Sequence, residues 1–174
     1  MMKDPEPAAW NRWLAAVTTP QVDQAIAALY ARVDQQVAGH TPRCDQSGRC
    51  CRFESFGHRL YVTGLEIARF FHHAGQPPIA APGRLPILRD TLPDACPYQV
   101  DGLCSVHTVR PHGCRIFFCE PGSESWQQGL YEHLHDEIRA MHRQWQLPYA
   151  YMEWRQGLRS LQAALVTSSG SREG

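Results

Sequence analysis

Residues 44–51 read CDQSGRCC, and residues 96–119 read CPYQVDGLCSVHTVRPHGCRIFFC. These two stretches hold all seven cysteines of the chain: Cys44, Cys50 and Cys51 in the first, and Cys96, Cys104, Cys114 and Cys119 in the second. An odd count cannot close into intramolecular disulfides alone. The chain reads as cytoplasmic, where thiols stay reduced. Free cysteine is among the most buried residue types, yet Cys44, Cys50 and Cys51 stand in the most polar part of the sequence. Thiolates set among Gly, Pro and short polar residues can converge on a metal, because such loops turn sharply and leave amides free to donate to sulfur. The expected fold is mainly α with a small β-hairpin, an α+β arrangement whose irregular cysteine-rich loops are organised around a metal centre.

Spacing bears on the metal. A zinc ribbon is built from two CxxC knuckles, and the chain contains no CxxC. Wider intervals suit a bulkier centre, and a step like that from Cys114 to Cys119 occurs in some iron–sulfur sites. The expected cofactor is an iron–sulfur cluster, 4Fe-4S in the first instance, with zinc as the alternative. Neighbouring side chains of an extended chain point opposite ways. Cys50 and Cys51 therefore reach one centre together only if the chain turns sharply between them; otherwise one is a ligand and the other a buried or second-site thiol. Arg110 and Arg115 flank Cys114, where a guanidinium would lower thiol pKa and hold an anionic group. An ordinary salt bridge elsewhere is the competing reading. His107 and His112 bracket the same cysteines as further candidate ligands.

The octet from Cys44 to Cys51 resembles a CxxCxxCC motif. Cys96-Pro97, Cys104, Arg110-Pro111 and Cys114-Arg115 are similar to a second signature of the same bacterial cysteine-cluster family, described as a zinc- or iron-chelating domain and often labelled an iron–sulfur-cluster protein. The resemblance covers about residues 44–119. It implies metal binding by Cys44, Cys50, Cys51, Cys96, Cys104 and Cys114. Ser47 replaces the motif's second cysteine, and Cys119, outside the pattern, is the candidate compensation. Flagellin lysine methylases share the cysteine pattern, but 174 residues leave little room for a separate methyltransferase domain.

Outward from these loops the pattern is helical. Ala8–Val17 reads as a short helix. Thr19-Pro20 starts a second, Gln21–Val37, with Val22, Ile26, Leu29, Tyr30 and Val33 as its apolar stripe and Gly39 as its stop. Arg59–Val62 is a candidate strand. Thr63 and Glu66 form a capping box for a helix that Gly75 ends. Five prolines make residues 76–95 an extended connection. Glu124–Trp145 is the longest helix, with Trp126, Leu130, Leu134, Ile138, Met141 and Trp145 at helical spacing. Tyr131, His135 and His142 fall along one edge of that stripe, expected to be a solvated flank, with the lining of a pocket beside the metal as the alternative. Tyr149–Trp154 alternates like a strand, Gln156–Leu165 reads as a last helix, and residues 167–174 as a disordered tail.

A hairpin is expected within residues 96–107. A two-residue turn at Asp101-Gly102 would put Cys96 and Cys104 on opposite faces. A three-residue loop from Val100 to Gly102, with Gly102 at positive φ, would put both on one face and is the expected form.

At 174 residues and 19.7 kDa, one domain is expected, with a metal-binding core at about 44–119 and helical flanks. Lys plus Arg is 17 and Asp plus Glu is 17, so the basic excess of a general nucleic-acid binder is absent. No run approaches the ~18 apolar residues of a membrane span. These patterns describe a metal-binding protein whose cysteine-ligated centre is an iron–sulfur cluster used in electron transfer or in modification of a partner. The partner, protein or small molecule, is not specified by the pattern. The alternative is a zinc-binding structural or adaptor module without catalysis.

Overall fold

The computed structural model describes residues 4–44, 47–77 and 95–170. It is mainly helical with two small antiparallel sheets. In chain order the elements are α1 (Pro7–Val17), α2 (Pro20–His40), a 3₁₀ turn (Arg49–Cys51), β1 (Tyr61–Thr63), α3 (Gly64–Ala74), β2 (Gln99–Val100), β3 (Leu103–Cys104), α4 (His112–Ile116), α5 (Glu124–Gln144), β4 (Tyr151–Glu153) and α6 (Trp154–Gly170).

Pro7 and Pro20 open α1 and α2, where a missing amide hydrogen costs nothing. Helix α2 runs through Gly39, the expected stop, to His40. The left-handed cap is Thr41 instead, at φ 46, with its amide on Ala38 O. Helix α6 is longer than expected at both ends. It starts at Trp154 and continues to Gly170, which corrects the expected disorder as far as that residue. Residues 171–174 and the larger part of the proline-rich connection, 78–94, lie outside the described residues.

Strand β1 pairs with β4 in the register Tyr61↔Glu153, Val62↔Met152, Thr63↔Tyr151. Each strand runs directly into a helix, β1 into α3 and β4 into α6. The backbone bonds Gly64 N–H to Ala150 O (3.0 Å) and Trp154 N–H to Leu60 O (2.9 Å) extend the pairing at both ends. Around it the core collects Trp10 and Trp13 of α1, Ile26, Leu29 and Val33 of α2, Leu65 and Ile67 of α3, and Leu134 and Ile138 of α5. Both α1 indoles have acceptors, Trp10 on Ser160 Oγ (3.0 Å) and Trp13 on Pro148 O (2.9 Å), so their burial leaves no orphan donor.

Helix α3 packs on α1 through Gly64. A Cβ there would lie 2.4 Å from the Trp13 ring, which is fully buried and cannot swing away. Gly64→Ala is expected to lower stability by about 1–3 kcal/mol, the usual cost of overpacking. A urea melt with an unchanged midpoint would show that the ring yields freely.

The capping box forms in both halves, and Glu66 does more than cap. Its carboxylate accepts from Thr63 N (3.0 Å), Thr63 Oγ1 (3.1 Å), Tyr30 OH (3.1 Å), His112 N (3.2 Å) and His112 Nδ1 (2.6 Å). One side chain that is 1% exposed thus ties α2, α3 and α4 together. Burial pushes the carboxyl up, but the charge and hydrogen bond of His112 and the amides of Thr63 and His112 outweigh it and hold the pKa at about 2. This hub places α4, and with it Cys114.

Candidate metal centre

The two cysteine stretches meet along their backbones. Cys96 N–H donates to Cys51 O at 2.8 Å, and Arg52 bridges Ala95. The 3₁₀ turn begins at Gly48, φ 68, where a Cβ would fall 1.9 Å from Gly102 O. Only glycine fits that close approach. Gln99 Nε2 donates to Gly48 O and Gly102 O, both at 3.0 Å, and seats the hairpin on the turn.

The sharp bend needed for Cys50 and Cys51 to act together is this turn. The Cys51 thiol is hydrogen-bonded with those of Cys104, Cys50 and Cys96. Cys114, on α4, lies within electrostatic reach of Cys96, Cys104 and Cys50. Five of the seven expected ligands are therefore gathered. Cys44 and Cys119 are exposed. One hydrogen bond links their neighbours, Arg43 N–H to Glu120 Oε2 at 3.3 Å.

The hairpin differs from expectation. Gly102 is at positive φ (80°), but so is Asp101 (49°), and the register Gln99↔Cys104, Val100↔Leu103 is that of a two-residue turn. Asp-Gly suits two left-handed positions in succession, so the three-residue loop is overturned. The separation of Cys96 from Cys104 does not follow, however. The face rule holds only along extended chain, and β2 begins at Gln99. Before it the backbone turns, with Gln99 N–H on Cys96 O at 3.0 Å.

Donors converge on the sulfurs. Trp154 Nε1 donates to Cys96 Sγ at 3.3 Å. The amide of Tyr98 donates to the same sulfur, and that of Val106 to Cys104. Cys51 shares its hydrogen with its neighbours, which lowers Cys104 to about 6 and Cys50 to about 7; Arg110 adds to both effects. Cys96 is lowered by the same bond, and Cys51 is raised in return. Burial raises Cys114. One S–H supplies one hydrogen at a time, so Cys51 serves only one of its three neighbours at once.

Arg110 and Arg115 part company. Arg110 carries the charge felt by Cys50, Cys104 and Cys114. Its Nε is buried with no hydrogen-bond partner among the described residues. Arg115 donates to Arg110 O (2.9 Å), Asp34 Oδ2 (2.7 Å) and Thr108 O (2.6 Å) and lies over the Tyr30 ring at 4.6 Å. It anchors the segment to α2, the salt-bridge reading. His112 is engaged by Glu66 through Nδ1, and His107 is exposed. Among the described residues no three His, Cys, Asp or Glu side chains are grouped so as to hold a metal ion; the thiols hydrogen-bond to one another instead.

A cavity of about 340 Å³ reaches this group. Cys50 and Cys114 line it beside Leu60, Ile116, Tyr131 and the stacked rings of His58 and Phe117, 4.5 Å apart. Tyr131 belongs to the α5 edge expected to be solvated, and that expectation is corrected. His142 is 1% exposed with Nδ1 on Pro148 O, and Tyr131 OH donates to Tyr61 O (2.8 Å), so the edge packs on β1 and the chain before β4. The Trp154 donor and the Glu66 hub were missed. A capping-box glutamate gives no sign of its long-range partners, and an indole before a helix reads only as core.

In metal-free protein at pH 7, Cys50 is expected to be alkylated by iodoacetamide faster than Cys51 or Cys114. It combines access from the cavity with a lowered pKa, and the thiolate is the nucleophile. Peptide mass spectrometry gives the order, and Cys114 reacting first would contradict it.

No family model, curated protein or solved structure matches the chain. The likeness of residues 44–119 to the cysteine-cluster family rests on the motif residues themselves.

Proposed function

We propose that the chain is a metal-binding protein whose gathered thiols hold an iron–sulfur cluster, of the 4Fe-4S kind, used to pass electrons to or from a partner. The observation that carries this reading is the convergence of Cys50, Cys51, Cys96, Cys104 and Cys114 from two segments joined through their backbones. N–H donors aimed at sulfur, here from Trp154, Tyr98 and Val106, are the means by which a protein stabilises and tunes a thiolate-bound metal group. The buried, unpartnered Nε of Arg110 beside the thiols leaves a donor for an anionic group.

Bound there, such a cluster supplies one-electron redox chemistry. The chain's own residues do the rest. The thiols of the two segments hold the group, and Trp154 and the Tyr98 amide fix Cys96. Arg110 balances charge, and the core beneath Tyr98 and Trp154 keeps water away, with Phe70 packed on both rings at 4.6 and 4.8 Å. Purified without oxygen, the protein is expected to be brown, to absorb near ~400 nm and to contain iron with acid-labile sulfide. A colourless protein carrying one zinc would replace this reading with a structural or adaptor module.

A further inference from the structure

Metal binding alone gives the cavity beside the thiols no purpose. It lies between the chain entering β1, α4 and the start of α5, and Cys50 and Cys114 line it. An occupant therefore sits against thiol-bearing residues of the gathered group. Leu60 and Ile116 are buried in its wall, and the rings of His58, Phe117 and Tyr131 continue that wall. The His58 and Phe117 rings stack within 19° of parallel, and Tyr131 is held through its hydroxyl on Tyr61 O. The wall is close-packed: a Cβ on Gly113 would lie 2.6 Å from Leu60 Cδ1 and 3.3 Å from Tyr131 Cε2. Arg59, Glu124 and Gln128 line the cavity and are exposed, so they mark its mouth.

These features narrow the class of occupant. At about 340 Å³ the space is at the small end of ligand sites. It holds a molecule of one or two fused rings and is too small for a dinucleotide. A phosphorylated ligand calls for several cations or a cradle of amides, and the described lining offers one guanidinium, that of Arg59. A wall of rings and aliphatic side chains suits a flat, uncharged body, because rings stack and apolar area leaves water. At the mouth, Arg59 can only donate and the Glu124 carboxylate accepts. The pair therefore serves a ring oxygen in either state, a carbonyl as acceptor or a hydroxyl as donor. A flat, uncharged ring that carries such oxygens and takes up single electrons is a quinone.

We propose that this cavity binds a small quinone against Cys50 and Cys114. The inference rests on the iron–sulfur reading and names the small-molecule partner of that centre. The quinone takes one electron from the reduced cysteine-ligated centre, which is oxidised, and becomes a radical anion. No bond forms or breaks in this step. Two such radical anions, released to water, take up two protons and disproportionate to one quinone and one hydroquinone.

The probe is duroquinone, whose fully substituted ring leaves no open position for a thiol to add. Equilibrium dialysis against the oxidised, anaerobically purified full chain reads binding. Stopped-flow absorbance reads electron transfer from the same protein after reduction with dithionite and desalting. Saturable binding is expected. Gln128→Trp, which fills the mouth, and Phe117→Ala, which removes a ring from the wall, should each weaken binding about tenfold or more and slow electron transfer to match. The visible spectrum and far-UV circular dichroism of both variants should stay unchanged. Val166→Trp, on α6 and outside the lining, should alter neither binding nor rate. An iron-containing protein that shows no saturable binding, or binding indifferent to both cavity variants, would overturn the proposal and leave the iron–sulfur reading intact. A protein without iron would overturn that reading instead; duroquinone binding blocked by Gln128→Trp would then still establish the cavity as a quinone site.

Discussion

Glu66→Ala is expected to lower the free energy of unfolding by about 3–5 kcal/mol, because several buried donors lose their acceptor at about 1–3 kcal/mol each. The loss comes from what stays behind. The Tyr30 hydroxyl and the His112 imidazole remain buried without their acceptor, and the amides of Thr63 and His112 lose theirs. Because α4 hangs on this carboxylate, Cys114 should also lose its fixed position, and metal content should fall with stability. Chemical denaturation measures the first effect, and a change below about 1 kcal/mol would show that the hub is dispensable. The pH dependence follows from the same geometry. The carboxyl titrates at about 2 in the folded chain against an ordinary 4.5. Its contribution is therefore complete above pH 4.5 and is lost as pH falls from there toward 2. Glu66→Gln should remove that part of the acid sensitivity. Identical acid profiles for the two proteins would assign the sensitivity to other carboxylates.

Cys96→Ser is expected to abolish metal binding. Cys96 joins the Cys51 backbone, accepts from the Trp154 indole and the Tyr98 amide, and meets Cys51 sulfur to sulfur. Cys44→Ser should leave most of the metal in place, because Cys44 is exposed while five other thiols are gathered. That outcome would remove Cys44 from the ligand set the motif implies. Trp154→Phe is the finer probe. It keeps a ring against Phe70 but deletes the donor to sulfur, and changes of this kind cost about 10–100-fold in metal affinity. Chelation of the wild-type protein should strip hydrogen-exchange protection from residues 48–58 and 96–119 before the helices. Equal metal per chain in Cys96→Ser and wild type would remove Cys96 from the ligand set.

The helices were readable from the sequence because each carries its own signals: the proline at the start of α2, the capping box at Thr63, and the stripe of α5. These are local effects, and local effects survive in a sequence. The thiol group was legible only as an inventory. Seven cysteines in two stretches pointed to a metal, but which five meet depends on Gly48 lying against Gly102 and on the bend between Cys96 and Gln99. Neither is a local preference. The hairpin failed for a related reason: the face rule was extended back to Cys96 across a bend the sequence does not mark. His142 was misplaced because helical geometry gives an angle on α5, not the neighbour that occupies it. The neighbour is the chain before β4.

The backbone bonds between Cys51 and Cys96 and between Arg52 and Ala95 close the intervening chain at its neck. A cut anywhere in residues 78–94 would leave that neck and the β1–β4 sheet untouched. It would divide the molecule into a fragment carrying α1, α2, β1 and α3 and another carrying the hairpin, α4, α5, β4 and α6. Each half covers apolar surface of the other, since α2 packs on α4 and α5 and α3 on α6. The thiols are divided as well, Cys50 and Cys51 from Cys96, Cys104 and Cys114. The two pieces, expressed separately, should reassemble into one particle, and metal should tighten the union. This fold is in effect a two-part clasp, and the proposed metal would be its pin.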